Sequence, residues 1–86
     1  MCNSAGDAKN NLNDYQGALY DIDKIIEFNP NNDEYYYFRG YTKYILEDYY
    51  GALDDFNKAI ELNPDNNIYK EGRKSANCKI INLERQ

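Results

Sequence analysis

Residues 49–64 read YYGALDDFNKAIELNP, and residues 15–30 read YQGALYDIDKIIEFNP. Ten of these 16 aligned positions are identical, at an offset of 34 residues. A fixed period between about 20 and 50 residues marks stacked repeats, and 34 suits a unit of two helices and a turn. Neither copy can bury its apolar face alone, so each needs a neighbour. The period extends upstream: Gly6 pairs with Gly40, Lys9 with Lys43, Leu12 with Leu46 and Asp14 with Asp48. With Gly17 and Gly51 added, four of the five glycines obey it, which argues against chance.

Outward from that stretch, the chain reads as five helical segments. Residues 2–12, CNSAGDAKNNL, have weak helix propensity, and only their alignment with 36–46 predicts a helix there. Asp14 is the expected N-cap of a helix over 15–28, whose Ala18, Leu19, Ile22, Ile25 and Ile26 recur at helical spacing. Asn29-Pro30 stops it, because a residue before proline is pushed out of the helical region. Asn31 or Asn32 can cap the next helix, over 33–46, where Asp33 and Glu34 suit the positive end of the helix dipole. That helix carries Tyr35, Tyr36, Tyr37, Phe38, Tyr41 and Tyr44, too many rings for one face. Tyr37, Tyr41 and Tyr44 share one side, Tyr36 and Gly40 another. Asp48 caps a helix over 49–62 with Leu53, Phe56, Ala59 and Ile60 as its apolar stripe, and Asn63-Pro64 ends it. From residue 67 a last helix has Tyr69, Gly72, Ala76, Ile80 and Leu83 on one stripe and Lys, Arg and Glu outside. A stack needs such a polar-faced terminal unit.

Eighty-six residues allow one small domain of modest stability. The chain has 29% charged and 42% apolar residues, no signal-like segment, and no apolar run near the roughly 18 residues a membrane span needs. Cys2 and Cys78 give no zinc spacing and no disulfide framework, and with no histidine the default setting is reducing and cytoplasmic. A Cys directly after Met also suits a lipid-modified N-terminus, but Cys2 fits the repeat as well. Charge is uneven: residues 1–66 carry 13 acidic and 5 basic side chains, residues 67–86 carry 2 and 5. The acidic body argues against nucleic acid and anionic membrane partners, which need clustered Lys and Arg. The basic tail reads as a complement to that body rather than as an anion site.

The repeat resembles the tetratricopeptide repeat, W-x2-L-G-x2-Y, then A-x3-F, then Pro. In the second copy Tyr36, Arg39, Gly40, Lys43, Ala52, Phe56 and Pro64 stand at those places; in the first, Cys2, Ala5, Gly6, Lys9, Ala18, Ile22 and Pro30. Gly40 and Ala52 permit close helix approach, and Phe56 fills the space between units. Arg39 and Lys43 depart from the usual Leu and Tyr; each is expected to lay its methylenes on apolar surface and keep its charge in water. The resemblance implies an all-α fold, a right-handed superhelical stack of antiparallel helix pairs. Its parts would be a repeat over about 1–32, a repeat over about 33–66 and a capping helix over about 67–84, one domain spanning 1–86. It also implies a concave groove that binds a peptide segment of a partner protein. By that likeness the groove lining is Asn3, Asp7, Asn10 and Asn11, then Glu34, Tyr37, Tyr41 and Tyr44, then Glu71 and Ser75. Tyrosine suits a binding hot spot, and it is also ordinary interhelical filler. Asp7 and Glu34 would repel a C-terminal carboxylate, so a neutral or basic, partly apolar peptide is the expected ligand.

Two other functions stand beside this one. An enzyme needs a nucleophile with a base, a metal set or a phosphate loop, and none is legible here. Asp54 and Asp55 are neighbours on a helix and read as a solvated face, and Asp21-x-Asp23 lies in a helix rather than a calcium loop. No cofactor is implied. A self-associating structural unit, or part of a longer array, is the alternative, because two repeats fall short of the three or more that usually stand alone.

Overall fold

A computed structural model describes residues 12–85 as four helices: α1 (Leu12–Phe28), α2 (Asp33–Ile45), α3 (Tyr49–Leu62) and α4 (Asn67–Glu84). The chain is all-α, with no strand among the described residues. Each helix packs on the next in order, α1 on α2, α2 on α3 and α3 on α4, and α2 also touches α4. The helix expected over 2–12 lies outside the described residues, apart from Leu12, which opens α1. Asp14 is therefore not a cap but a residue of the first turn of α1, where its charge suits the helix dipole.

The other helix starts are set by side chains that accept from orphan backbone N–H groups. The Asn32 side chain accepts from the amides of Glu34, at 3.0 Å, and Tyr35. Asp48 accepts from Gly51, and Asn66 accepts from Ile68 at 2.9 Å. A Cβ on Gly51 would run into the Asp48 carboxylate, so glycine is what lets this cap close. The α2–α3 turn is a Schellman closure: Asp48 N–H donates to Lys43 O and Glu47 N–H to Tyr44 O. Glu47 takes the left-handed position, at φ 69°, where glycine is the usual residue. The α1–α2 turn is held by Tyr36, whose hydroxyl donates to the carbonyl of Pro30 at 2.8 Å.

Two buried groups make the core. One joins Ile26, Tyr36, Ala59 and Tyr69; the other joins Ala52, Phe56 and Ala76; Tyr37 packs against both. Ala52, Ala59 and Ala76 are fully buried, which lets three helix backbones approach. Phe56 lies between two glycines: a Cβ on Gly40 would come within 3.0 Å of its ring and one on Gly72 within 3.1 Å. Its place between units agrees with the reading from the repeat. Leu83, expected on the buried stripe of α4, is half exposed.

One link between α2 and α4 ties stability to pH. Tyr69 donates from its hydroxyl to Asp33 Oδ2 at 2.7 Å, and Asn63 Nδ2 donates to the same oxygen at 3.2 Å. The Tyr69 bond, more than the burial that opposes it, holds Asp33 below its ordinary value. Burial first, and Asp33 second, push the Tyr69 hydroxyl well above the tyrosine range. A depressed carboxylate stabilises above its unfolded value, about pH 4, and that share is lost as pH falls through the folded value. Tyr69→Phe is expected to cost about 1–2 kcal/mol at pH 7. The cost should shrink once Asp33 is protonated. Urea unfolding of parent and variant at pH 7 and pH 3 reads this directly, and an equal cost at both pH values would remove Asp33 from the account.

Candidate functional site: a tyrosine-walled cavity between α2 and α4

A cavity of about 250 Å3 opens between α2 and α4. Tyr37, Tyr41 and Tyr44 line it from α2, Phe56 from α3, and Ile68, Glu71, Gly72 and Ser75 from α4. The steps of four and three along α2 put the three tyrosines in one column, and the α2–α3–α4 packing turns that column toward α4. The Phe56 ring forms the floor, and Gly72 leaves space above it because its missing side chain would sit against that ring. The three tyrosines are not equivalent. Tyr37 is anchored, with its ring 5.6 Å from Phe56 and 5.1 Å from Tyr69, and Tyr41 stacks on it at 6.2 Å. Tyr44 meets Tyr49 edge-on at 5.4 Å. Tyr41 is half exposed and free to meet a ligand. Burial raises the Tyr37 and Tyr44 hydroxyls above the usual tyrosine range, so both stay protonated donors at neutral pH.

Chemically the cavity is a slot for an apolar or aromatic group, with hydroxyl donors on its walls and one carboxylate, Glu71, at its exposed side. Five of the ten expected groove residues, Tyr37, Tyr41, Tyr44, Glu71 and Ser75, lie around this one space. Glu34 sits in the first turn of α2, exposed and outside the lining. Asn3, Asp7, Asn10 and Asn11 lie outside the described residues. Among the described residues no three His, Cys, Asp or Glu side chains gather as a metal site.

A second constellation was missed in the sequence. Asp55, read as a solvated residue, is 4% exposed. Arg39 grips it through Nε and Nη2, both at 2.9 Å, and reaches Asp23 with Nη1 at 2.8 Å; Lys43 adds a contact at 3.2 Å. Arg39 and Lys43 thus do not keep their charges in open water. They neutralise a buried carboxylate, and Arg39 crosslinks α1, α2 and α3. The Asp55 hydrogen bond is the main reason the guanidinium holds its proton more firmly than usual. A signal was present: Asp55 falls at helical steps of three and four from Ala52 and Ala59, on the buried stripe rather than opposite it.

The α2–turn–α3 unit carries the small residues, the interunit Phe56 and the closing Pro64 of the pattern read in the sequence, and residues 34–66 match the family model for the tetratricopeptide repeat. This chain carries a tetratricopeptide repeat. The match spans α2, α3 and the turn that follows, while α1 and α4 lie outside it. Tetratricopeptide repeats are in general protein–protein interaction modules rather than catalysts. No curated protein matches the chain. No helix among the described residues is long and apolar enough to cross a membrane.

Proposed function

We propose that this tetratricopeptide repeat protein holds a segment of a partner protein in the cavity between α2 and α4. The observation that carries this reading is an open, aromatic-walled slot that the described side chains leave unfilled, with a carboxylate as the lining's formal charge. A neutral or basic segment with one apolar or aromatic anchor fits that chemistry: the anchor stacks on Tyr41 and Tyr37, and a flanking Lys or Arg meets Glu71. Tyrosine anchors well because it offers a large, rigid face with a polar tip. The same reading takes residues 1–32 and 33–66 as repeats and 67–84 as their cap.

The test is a display library of random dodecapeptides selected on the parent, with affinities of the enriched peptides measured by fluorescence anisotropy. Tyr41→Ala is expected to weaken binding by about tenfold or more. The thermal midpoint should change little, since Tyr41 is half exposed. Glu71→Lys should shift the preference from basic to acidic flanks. Enriched peptides that bind both variants like the parent would rule the cavity out as the site.

A further inference from the structure

The two ends of the cavity differ in charge. Tyr37 meets Tyr69 at one end, with ring centres 5.1 Å apart, and Tyr44 meets Tyr49 at the other, at 5.4 Å. Two carboxylates serve the Tyr37 end: Glu71 in the lining, just past Tyr69, and Glu34, whose charge acts on the Tyr69 hydroxyl. At the Tyr44 end, Lys79 Nζ lies 6.0 Å from the centre of the Tyr49 ring, whose face attracts a cation. Glu47 also acts on Tyr49, but Lys79 forms no ion pair with it or with any other carboxylate among the described residues. Glu71, Ser75 and Lys79 follow at steps of four. One column of α4 thus runs from carboxylate through hydroxyl to ammonium, beside the tyrosine column of α2. Eight residues of helix set the two charges about 12 Å apart. In an extended chain alternate side chains face one way, and residues i and i+4 lie about 13 Å apart.

From this match of lengths we infer that the partner segment is extended and carries opposite charges on either side of its anchor. Its pattern is basic, any residue, anchor, any residue, acidic, read from the Glu71 end of the slot to the Lys79 end. The inference rests on the cavity reading above and adds the spacing and the order of charges. The anchor enters over Phe56 beside Tyr37 and Tyr41. The basic side chain two residues from it meets Glu71, and the acidic one two residues the other way meets Lys79. Charge order is what the slot reads, so a segment written in the opposite order satisfies it by running the other way. A doubly basic segment sets a cation against Lys79, and a doubly acidic one sets a carboxylate against Glu71 and Glu34.

Four labelled peptides with blocked ends test it. Each has a central tryptophan, flanked two residues away on both sides by one Lys and one Asp, by two Lys, by two Asp or by two Ser. Fluorescence anisotropy measures their affinities for the full-chain parent, Glu71→Lys, Lys79→Glu and Tyr41→Ala, all shown folded by circular dichroism. The parent should bind the Lys/Asp peptide about fivefold or more tighter than the other three, and added salt should narrow the gap. Lys79→Glu should move the preference to the two-Lys peptide, and Glu71→Lys should move it to the two-Asp peptide. If Tyr41→Ala weakens all four but the parent ranks them alike, or Lys79→Glu leaves the ranking unchanged, the charge order is overturned and the cavity reading stands. If none binds the parent, or Tyr41→Ala binds them as the parent does, the cavity reading fails and the charge order with it.

Discussion

Phe56→Ala is expected to lose about 3–5 kcal/mol, the usual range for removing a buried ring and leaving a cavity. Phe56 is 1% exposed and lies between the backbones of Gly40 and Gly72. Glycines on both sides offer no side chain that could swing in to fill the hole. Its ring also supports Tyr37 at 5.6 Å, so the floor and one wall of the cavity go with it. Small domains hold only about 5–15 kcal/mol in total, and one of this size sits low in that range. The variant should therefore melt more than about 15 °C below the parent, or not fold at all. Ile22 is the control, because it occupies the same place in the first copy but is only half-buried. Ile22→Ala should cost clearly less. Equal thermal midpoints for the parent and Phe56→Ala would contradict the packing.

Asp55→Ala should be nearly as damaging, at about 3 kcal/mol, for an electrostatic reason. Removing the carboxylate leaves Arg39 and Lys43, each about one-fifth exposed, as two cations facing one buried gap. Arg39 keeps its bond to Asp23, but that acid is about half exposed and gives weaker compensation. The charges are required as a set rather than singly. Replacing all three, as Asp55→Leu/Arg39→Met/Lys43→Met, should recover most of the loss, since a buried ion cluster is often no more stable than apolar residues of similar volume. Urea unfolding of the single and triple variants separates the outcomes. A triple variant weaker than Asp55→Ala would mean that the cluster stabilises beyond mere neutralisation.

Much of the candidate site was legible because its pieces are local. The column Tyr37, Tyr41 and Tyr44 follows from helical periodicity, and the stripe on α4 follows from the same rule. What could not be read was which ring is anchored and which is free. That depends on Phe56 and Tyr69 arriving from other helices, and it makes Tyr41, not Tyr37, the clean probe of binding. The Arg39–Asp55 pair was obscured for the same reason. Sixteen residues separate its members, and nothing local says that a charge on an apolar stripe has found a partner.

The sequence by itself determined where α2, α3 and α4 begin and end, whereas Asp14, read as a cap, falls inside α1. Apolar spacing, the Asn-Pro stops, and the caps Asn32 and Asn66 at the 34-residue period act over a few bonds, so they read the same in any context. Tertiary structure decided what each repeated letter does. Ala18 and Ala52 are the same residue at the same repeat position, yet Ala18 is exposed and Ala52 fully buried. Asp21 lies in water while Asp55 is clamped in the core. Gly17 faces open space while Gly51 sits against Asp48. The physical reason is burial: α3 lies between α2 and α4, whereas α1 packs on α2. Neighbours brought from far along the chain set the environment of a side chain, and a local pattern carries no record of them.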